Sequence, residues 1–200
     1  WYALLKGTAN RENKEYADRK NLTDRNERTE LMVLDVDGLQ WDMPKRDNLT
    51  SSDVEFAANK LIKLLPQTFH NCSYVAVASS NFGRKAGLRM HLHFLLNTPI
   101  STDVLRGLIT ALNFDIEYID KSLTLTPSGR QIKYPIDPCL ADNSRIAYIA
   151  PPIFGDTTKN PFKSDADRIV KVIREEERLD LTPLIESFST VELMKTKEKR

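Results

Sequence analysis

The sequence predicts an α+β fold with a mainly antiparallel sheet flanked by helices. Three observations lead there. Short, largely apolar runs recur at 31–37, 73–79 and 90–96. Amphipathic helical stretches stand between and after them, at about 53–65 and 102–112. The second and third runs are joined by the polar, glycine-containing loop Ser79 to Gly87, which makes them a hairpin and therefore antiparallel.

The elements follow in chain order. Residues 1–30 are polar and charged, with Trp1, Tyr2, Leu4 and Leu5 as an apolar cluster, and read as a lead-in of part helix and part loop. A strand spans 31–37, and a loop with Pro44 covers 39–50. Ser51-Ser52-Asp53 can cap a helix whose face is Val54, Ala57, Ala58, Leu61, Ile62 and Leu65, ended by Pro66. After the hairpin of 73–96, Ser101-Thr102-Asp103 caps the helix 102–112, and Phe114 to Ile119 returns as a strand. Residues 121–135 are turn-rich, and 145–150 form a further strand closed by Pro151-Pro152. From about 164 the pattern reads as helical, with Ile169, Val170, Ile173 and Leu179 among charges, and a short helix follows Pro183. The division expected is a lead-in of 1–30, a main domain of 31–160 and a C-terminal helical extension of 161–200.

Bulk properties narrow the function. An apolar content of 40% is enough for a packed core. The formal net charge of +1 argues against a strongly basic nucleic-acid binder. It leaves room for a local basic cleft, because 29 basic and 28 acidic residues can be segregated in space. Two cysteines, Cys72 and Cys139, make no disulfide framework and point to a reducing, cytoplasmic compartment. No apolar run is long enough to span a membrane, and no signal peptide is read. The chain opens at Trp1 rather than a methionine, which reads as a piece of a longer protein.

The first chemistry-bearing segment is Leu34-Asp35-Val36-Asp37-Gly38, at the end of the first strand. Alternate side chains of a strand share a face, so Asp35 and Asp37 point one way and Leu34 and Val36 the other. Two carboxylates about 6–7 Å apart on one face repel each other unless a cation lies between them. That suits hard divalent ions, which take oxygen ligands. The plainer reading is a strand end followed by a solvated Asp-Gly turn.

The second segment runs from Ser79-Ser80-Asn81-Phe82-Gly83-Arg84-Lys85 into Arg89-Met90-His91-Leu92-His93-Phe94. Its hydroxyls, loop amides and the basic Arg84, Lys85 and Arg89 could cradle a polyphosphate. His91 and His93 share a strand face opposite Met90, Leu92 and Phe94. The plainer reading of each is a hydrogen-bonded structural histidine. The third segment, Asp137 to Phe154, places an acid and Arg145 eight residues apart around a turn. Taken alone it is a loop with a surface ion pair.

In order, hydrophobic-Asp-x-Asp, a serine and basic loop leading to a strand histidine, and hydrophobic-Asp with a downstream arginine resemble the catalytic core of the archaeo-eukaryotic primase superfamily. The likeness is to its primase-polymerase branch of plasmids, phages and integrative elements, and it covers roughly residues 31–155. Asp35 and Asp37 match the first motif, His91 the second and Asp137 the third. Arg89 stands where the second motif usually has serine, leaving Ser79 or Ser80 as the neighbouring hydroxyl. The resemblance implies an RRM-like palm and a two-metal nucleotidyl transferase, with Asp35, Asp37 and Asp137 holding two Mg²⁺ or Mn²⁺ ions. It implies that His91 and Arg145 bind the triphosphate, with Ser80, Arg89 and Lys85 as further candidates. The implied partners are a single-stranded DNA template, nucleoside triphosphates, and a helicase domain or protein of the same replicon, in a cytoplasmic replication complex with no membrane.

Three rivals use the same residues. His91-Leu92-His93 is the His-hydrophobic-His pattern of rolling-circle replication endonucleases and relaxases, where both histidines hold one ion and Tyr118 of Tyr118-Ile119-Asp120-Lys121 would attack the phosphodiester. Leu34 to Gly38 resembles the first motif of haloacid-dehalogenase-like phosphatases, with Val75 to Ser80 as a second, although Leu39 follows the glycine. A binding or docking module with a decayed site is the non-enzymatic reading, with 164–194 as its interaction part; the plainer reading of Arg174-Glu175-Glu176-Glu177-Arg178 is a solvated helix face. A zinc site from His70, Cys72 and Cys139 lacks ligands. The Asn-x-Ser/Thr triplets at Asn21, Asn48 and Asn71 are chance matches. Trp41 and Phe82 read as cover for the core rim.

Overall fold

A computed structural model describes residues 27–41, 47–142, 145, 151–155 and 160–188. Strand β1 spans Thr29–Leu39, helix α1 Ser51–Ile62, β2 Tyr74–Ala78, β3 Leu88–Ile100 and α2 Thr102–Asp115. A one-turn helix α3, Glu117–Asp120, follows. The short strands β4 (Thr124–Leu125) and β5 (Ile132–Lys133) pair as a separate hairpin. Then come β6 (Ile136–Asp137), β7 (Ile169–Val172) and α4 (Thr182–Ser187). The main sheet has the order β6-β1-β3-β2-β7, and every pairing in it is antiparallel. The α+β class and the antiparallel sheet are therefore as the sequence predicts.

One face of the sheet is the core face. Met32, Leu34 and Val36 of β1 and Met90, Leu92 and Phe94 of β3 are fully buried there. They pack with Val54, Ala57, Ala58 and Leu61 of α1 and Leu105, Leu108, Ile109 and Leu112 of α2 in one cluster. Each such side chain contributes roughly 1.5–3 kcal/mol by leaving water. The residues between them in sequence point to the other face, which carries Asp35, Asp37, Arg89, His91 and His93. Both helices lie on one side, so neither α1 nor α2 covers this second face; it is open at Leu95, Ile169 and Ile173, while Val33 and Val77 on it are buried.

Local chemistry sets the element ends. α1 starts two residues before the expected position because the Asp53 carboxylate folds back to accept from Thr50 N and Thr50 Oγ1, both at 2.9 Å, a capping interaction. Gly38 (φ +88°) sits where the β1–β3 register shifts past Asp37. Gly87 (φ +81°) leaves no room for a side chain, since a Cβ there would lie 2.8 Å from the carbonyl oxygen of Leu39. Glycine thus lets the β2–β3 loop close onto the end of β1.

Three expectations need correction, and two fall on residues outside those described. Phe114 to Ile119 is not a strand: α2 runs on to Asp115, and after the extended Ile116 the chain turns into α3. The alternating Phe114, Ile116 and Tyr118 imitate strand spacing, but the strand position beside β1 is filled by β6. The helix expected from residue 164 is instead a 3₁₀ turn, Asp165–Arg168, leading into β7 on the free edge of β2. Ile169, Val170, Val172 and Ile173 suit both a helical stripe and a strand, and β-branched residues favour the strand when an edge is available. Arg174 to Arg178 continues as extended chain, with Glu176 exchanging backbone hydrogen bonds with Asn71 and Ser73, so it is no helix face. The short helix near Pro183 is α4. Residues 1–26 of the lead-in expected at 1–30, and all but Arg145 of the strand expected at 145–150, lie outside the described residues.

Candidate functional site

Strand register assembles the site. Asp35 of β1 has Asp137 of β6 as its Cα partner on one side and His91 of β3 on the other. Asp137, Asp35 and His91 therefore stand in one row across three strands, neighbours about 5 Å apart. The next row along β1 pairs Asp37 with Arg89. Residues distant in sequence thus meet on the open face.

The polar contacts follow from that layout. His91 Nε2 lies 3.2 Å from Asp35 Oδ1, with both side chains largely covered. Arg89 Nη1 is ion-paired with Asp37 Oδ1, and Lys133 Nζ of β5 lies 3.7 Å from Asp37 Oδ2. Asp137 Oδ1 accepts from Cys139 N at 2.8 Å, closing the turn Pro138–Ala141. Burial raises the Cys139 thiol pKa, and the hydrogen bond and charge of Asp137 add to the rise, opposed by Arg145 and Arg106. The Arg145 backbone N–H donates to Asp142 O at 2.9 Å, which holds it to the end of the Pro138–Ala141 turn. Ser80 and Lys85 lie on the β2–β3 loop, coiled by turns from Ser79 to Lys85, and neither bonds to the acids among the described residues.

His93, one step along β3 from His91, is held differently. Burial, and then the neighbouring His91, push its pKa down to about 4, so its ring is neutral at pH 7. Its Nε2 and the Nδ1 of His91 are both buried, without a hydrogen-bond partner among the described residues.

Two residues outside the sequence reading hold this site. Asn113 is fully buried in α2. Its Nδ2 donates to Ile136 O at 2.9 Å and to Ile109 O at 2.8 Å, and its Oδ1 accepts from Ile136 N at 3.0 Å. The amide imitates a neighbouring strand and pins β6, and with it Asp137, at the sheet edge. A polar residue near a helix end in an otherwise apolar stripe was the available signal. Arg168 is the largest fully buried side chain. It donates to Ser79 O at 3.3 Å and Asn160 Oδ1 at 2.6 Å, and lies 4.4 Å over the Phe162 ring. It ties the start of the β2–β3 loop to the chain entering β7.

The donor set of Asp35, Asp37 and Asp137 is all carboxylate oxygen, which suits Mg²⁺ or Mn²⁺. Among the described residues no three His, Cys, Asp or Glu side chains converge into a ready cage. The Asp37 carboxylate is turned to Arg89 and Lys133, and Asp137 Oδ1 is engaged by Cys139 N. Tyr118 stands apart on α3, donating from its hydroxyl to Gln40 O at 2.9 Å and edge-on to Trp41. Trp41 and Phe82 are buried, as rim cover should be. No helix among the described residues is long and apolar enough to cross a membrane.

Compared with known proteins, the chain matches no family model, no curated protein and no solved structure.

Proposed function

We propose that this chain is the catalytic domain of a primase or primase-polymerase, making primers on single-stranded DNA from nucleoside triphosphates. One observation carries the reading: the register puts Asp137, Asp35 and His91 in a single row, with the Asp37–Arg89 pair beside it. The three segments that resemble the primase motifs are far apart in the chain, and this sheet brings them together. The β-α-β-β-α-β order of β1, α1, β2, β3, α2 and β6, with sheet order β6-β1-β3-β2, supports an RRM-like palm.

Asp35, Asp37 and Asp137 would hold two divalent ions, Mg²⁺ or Mn²⁺. When bound, such ions acidify an attacking 3′-hydroxyl and offset the charge on leaving pyrophosphate. The chain's own groups do the rest. Arg89, released from Asp37, turns its guanidinium to a phosphate, while Asp37 is freed as a ligand. His91 would donate to the triphosphate from the same row once its Nε2 turns from Asp35. Arg145 after the Pro138–Ala141 turn, and Ser80 and Lys85 on the loop, would enclose the polyphosphate. A helicase partner of the same replicon remains part of this reading on the strength of the family resemblance.

The nickase reading requires Tyr118 to leave Gln40 O and gives Asp137 no role. The phosphatase reading leaves His91 and Asp137 without a role. The discriminating experiment is de novo synthesis on single-stranded DNA with labelled nucleotides and Mg²⁺ or Mn²⁺, comparing wild type, Asp35→Ala/Asp37→Ala and Tyr118→Phe. Short products that vanish in the double variant and persist in Tyr118→Phe support the proposal. A covalent DNA adduct lost in Tyr118→Phe, without synthesis, overturns it in favour of the nickase.

A further inference from the structure

Beyond the acidic row, the open face changes character. The register sets His93, Val75 and Lys171 side by side across β3, β2 and β7. Further along lie Leu95 and Ile173, which are 44% and 75% exposed. Together they line a hollow of about 340 Å³, with Glu175 also on its wall. That volume is near the lower end for small-ligand pockets, enough for one planar ring system. The apolar part of the wall is Val75, Leu95 and Ile173 with the His93 imidazole; the charged part is Lys171 and Arg174 with Glu175 and Glu177, and Lys171 is exposed.

We propose that this hollow over β2, β3 and β7 takes one unstacked nucleobase of the single-stranded template, and that Lys171 meets the adjoining phosphate. The inference rests on the primase reading and extends it to a strand path. Apolar and imidazole surfaces bind any base through its flat face, independent of sequence. The ring of His93 is uncharged at neutral pH, so it adds stacking surface without a buried charge. The hollow is reached from Asp35 by crossing β3 to β2, about 10 Å, and moving one row, about 7 Å, along the strands. It runs away from Arg89 and the β2–β3 loop, where the triphosphate groups belong. A base there belongs to a strand crossing the sheet, not to a nucleotide whose α-phosphate lies at the carboxylates.

The test is fluorescence anisotropy of the full chain in EDTA with labelled dT12 and a fully abasic oligonucleotide of the same length and charge. Wild type should bind dT12 more tightly by about 5- to 150-fold, as stacking of one base implies. Ile173→Asp and Leu95→Ser should bring dT12 down to the abasic value with unchanged circular dichroism and melting temperature. Lys171→Ala should weaken both oligonucleotides and lower the salt slope by roughly one. Equal affinity of wild type for the two oligonucleotides would overturn the inference. So would full base preference in both apolar variants, or variants that bind dT12 normally and lose only free dTTP. Primer synthesis is measured in parallel. Synthesis without base preference leaves the primase reading standing and removes the hollow; base preference without synthesis under either metal does the reverse.

Discussion

Protonating His93 should destabilise the fold, and the effect can be worked out from its surroundings. Its register neighbours are Val33 and Val75, and the nearest ionisable ring is His91, with centroids 6.1 Å apart. Lys171 stands in the same row, and although Glu175 and Glu177 line the same hollow, burial and His91 outweigh them and keep the ring uncharged. The folded pKa is about 4 against 6.5 for a free histidine. Between those values the unfolded chain binds more protons than the folded one. Stability is therefore complete above pH 6.5 and falls as pH drops toward 4. At about 1.4 kcal/mol per unit the whole loss is about 3 kcal/mol, of which about 2 is spent by pH 5. Urea unfolding of wild type and His93→Gln at pH 7.5 and 5.0 reads it. Wild type should lose about 2 kcal/mol more than the variant between the two pH values. Equal losses would refute the argument that burial keeps this ring neutral.

Other perturbations test the frame of the site. Asn113→Leu leaves the backbone N–H and carbonyl of Ile136 buried and unpaired, and should cost roughly 2–4 kcal/mol in chemical denaturation; amide exchange at Ile136 should accelerate with it. Arg168→Met keeps bulk over Phe162 but removes the bonds to Ser79 O and Asn160, and should cost roughly 2–4 kcal/mol while exposing the β2–β3 loop to protease. Asp35→Asn relieves the like-charge pairing with Asp137 while still accepting from His91. It should be neutral or stabilising by up to about 1 kcal/mol in thermal melts, though it should abolish primer synthesis.

How much of this was legible in the sequence varies by element. Alternation placed Asp35 and Asp37 on one face and His91 and His93 on another strand's matching face, because strand periodicity is local. That Asp137 would stand directly beside Asp35 could not be read from spacing. It depends on register between strands about a hundred residues apart, and only the family resemblance brought Asp137 into the set. Arg89 was visible as a basic residue near the loop, but its partner Asp37 was not. β7 was misread because Ile169, Val170 and Ile173 satisfy a helical stripe as well as a strand, and the free edge of β2 decides between them. Asn113 escaped because its role is to complete another element's hydrogen bonds. Phe114 to Ile119 misled for the opposite reason: its alternation was real, but β6 already occupied the edge.

The central claim is that the Asp137–Asp35–His91 row is a metal-dependent nucleotidyl-transfer site. Asp137→Asn tests it most directly, because asparagine can still accept from Cys139 N and keep the turn after β6. Primer synthesis on single-stranded DNA with Mn²⁺ should fall at least about 100-fold, as loss of several kcal/mol of metal-derived stabilisation requires, with an unchanged melting temperature. Products made at near wild-type rates by Asp137→Asn would contradict the account.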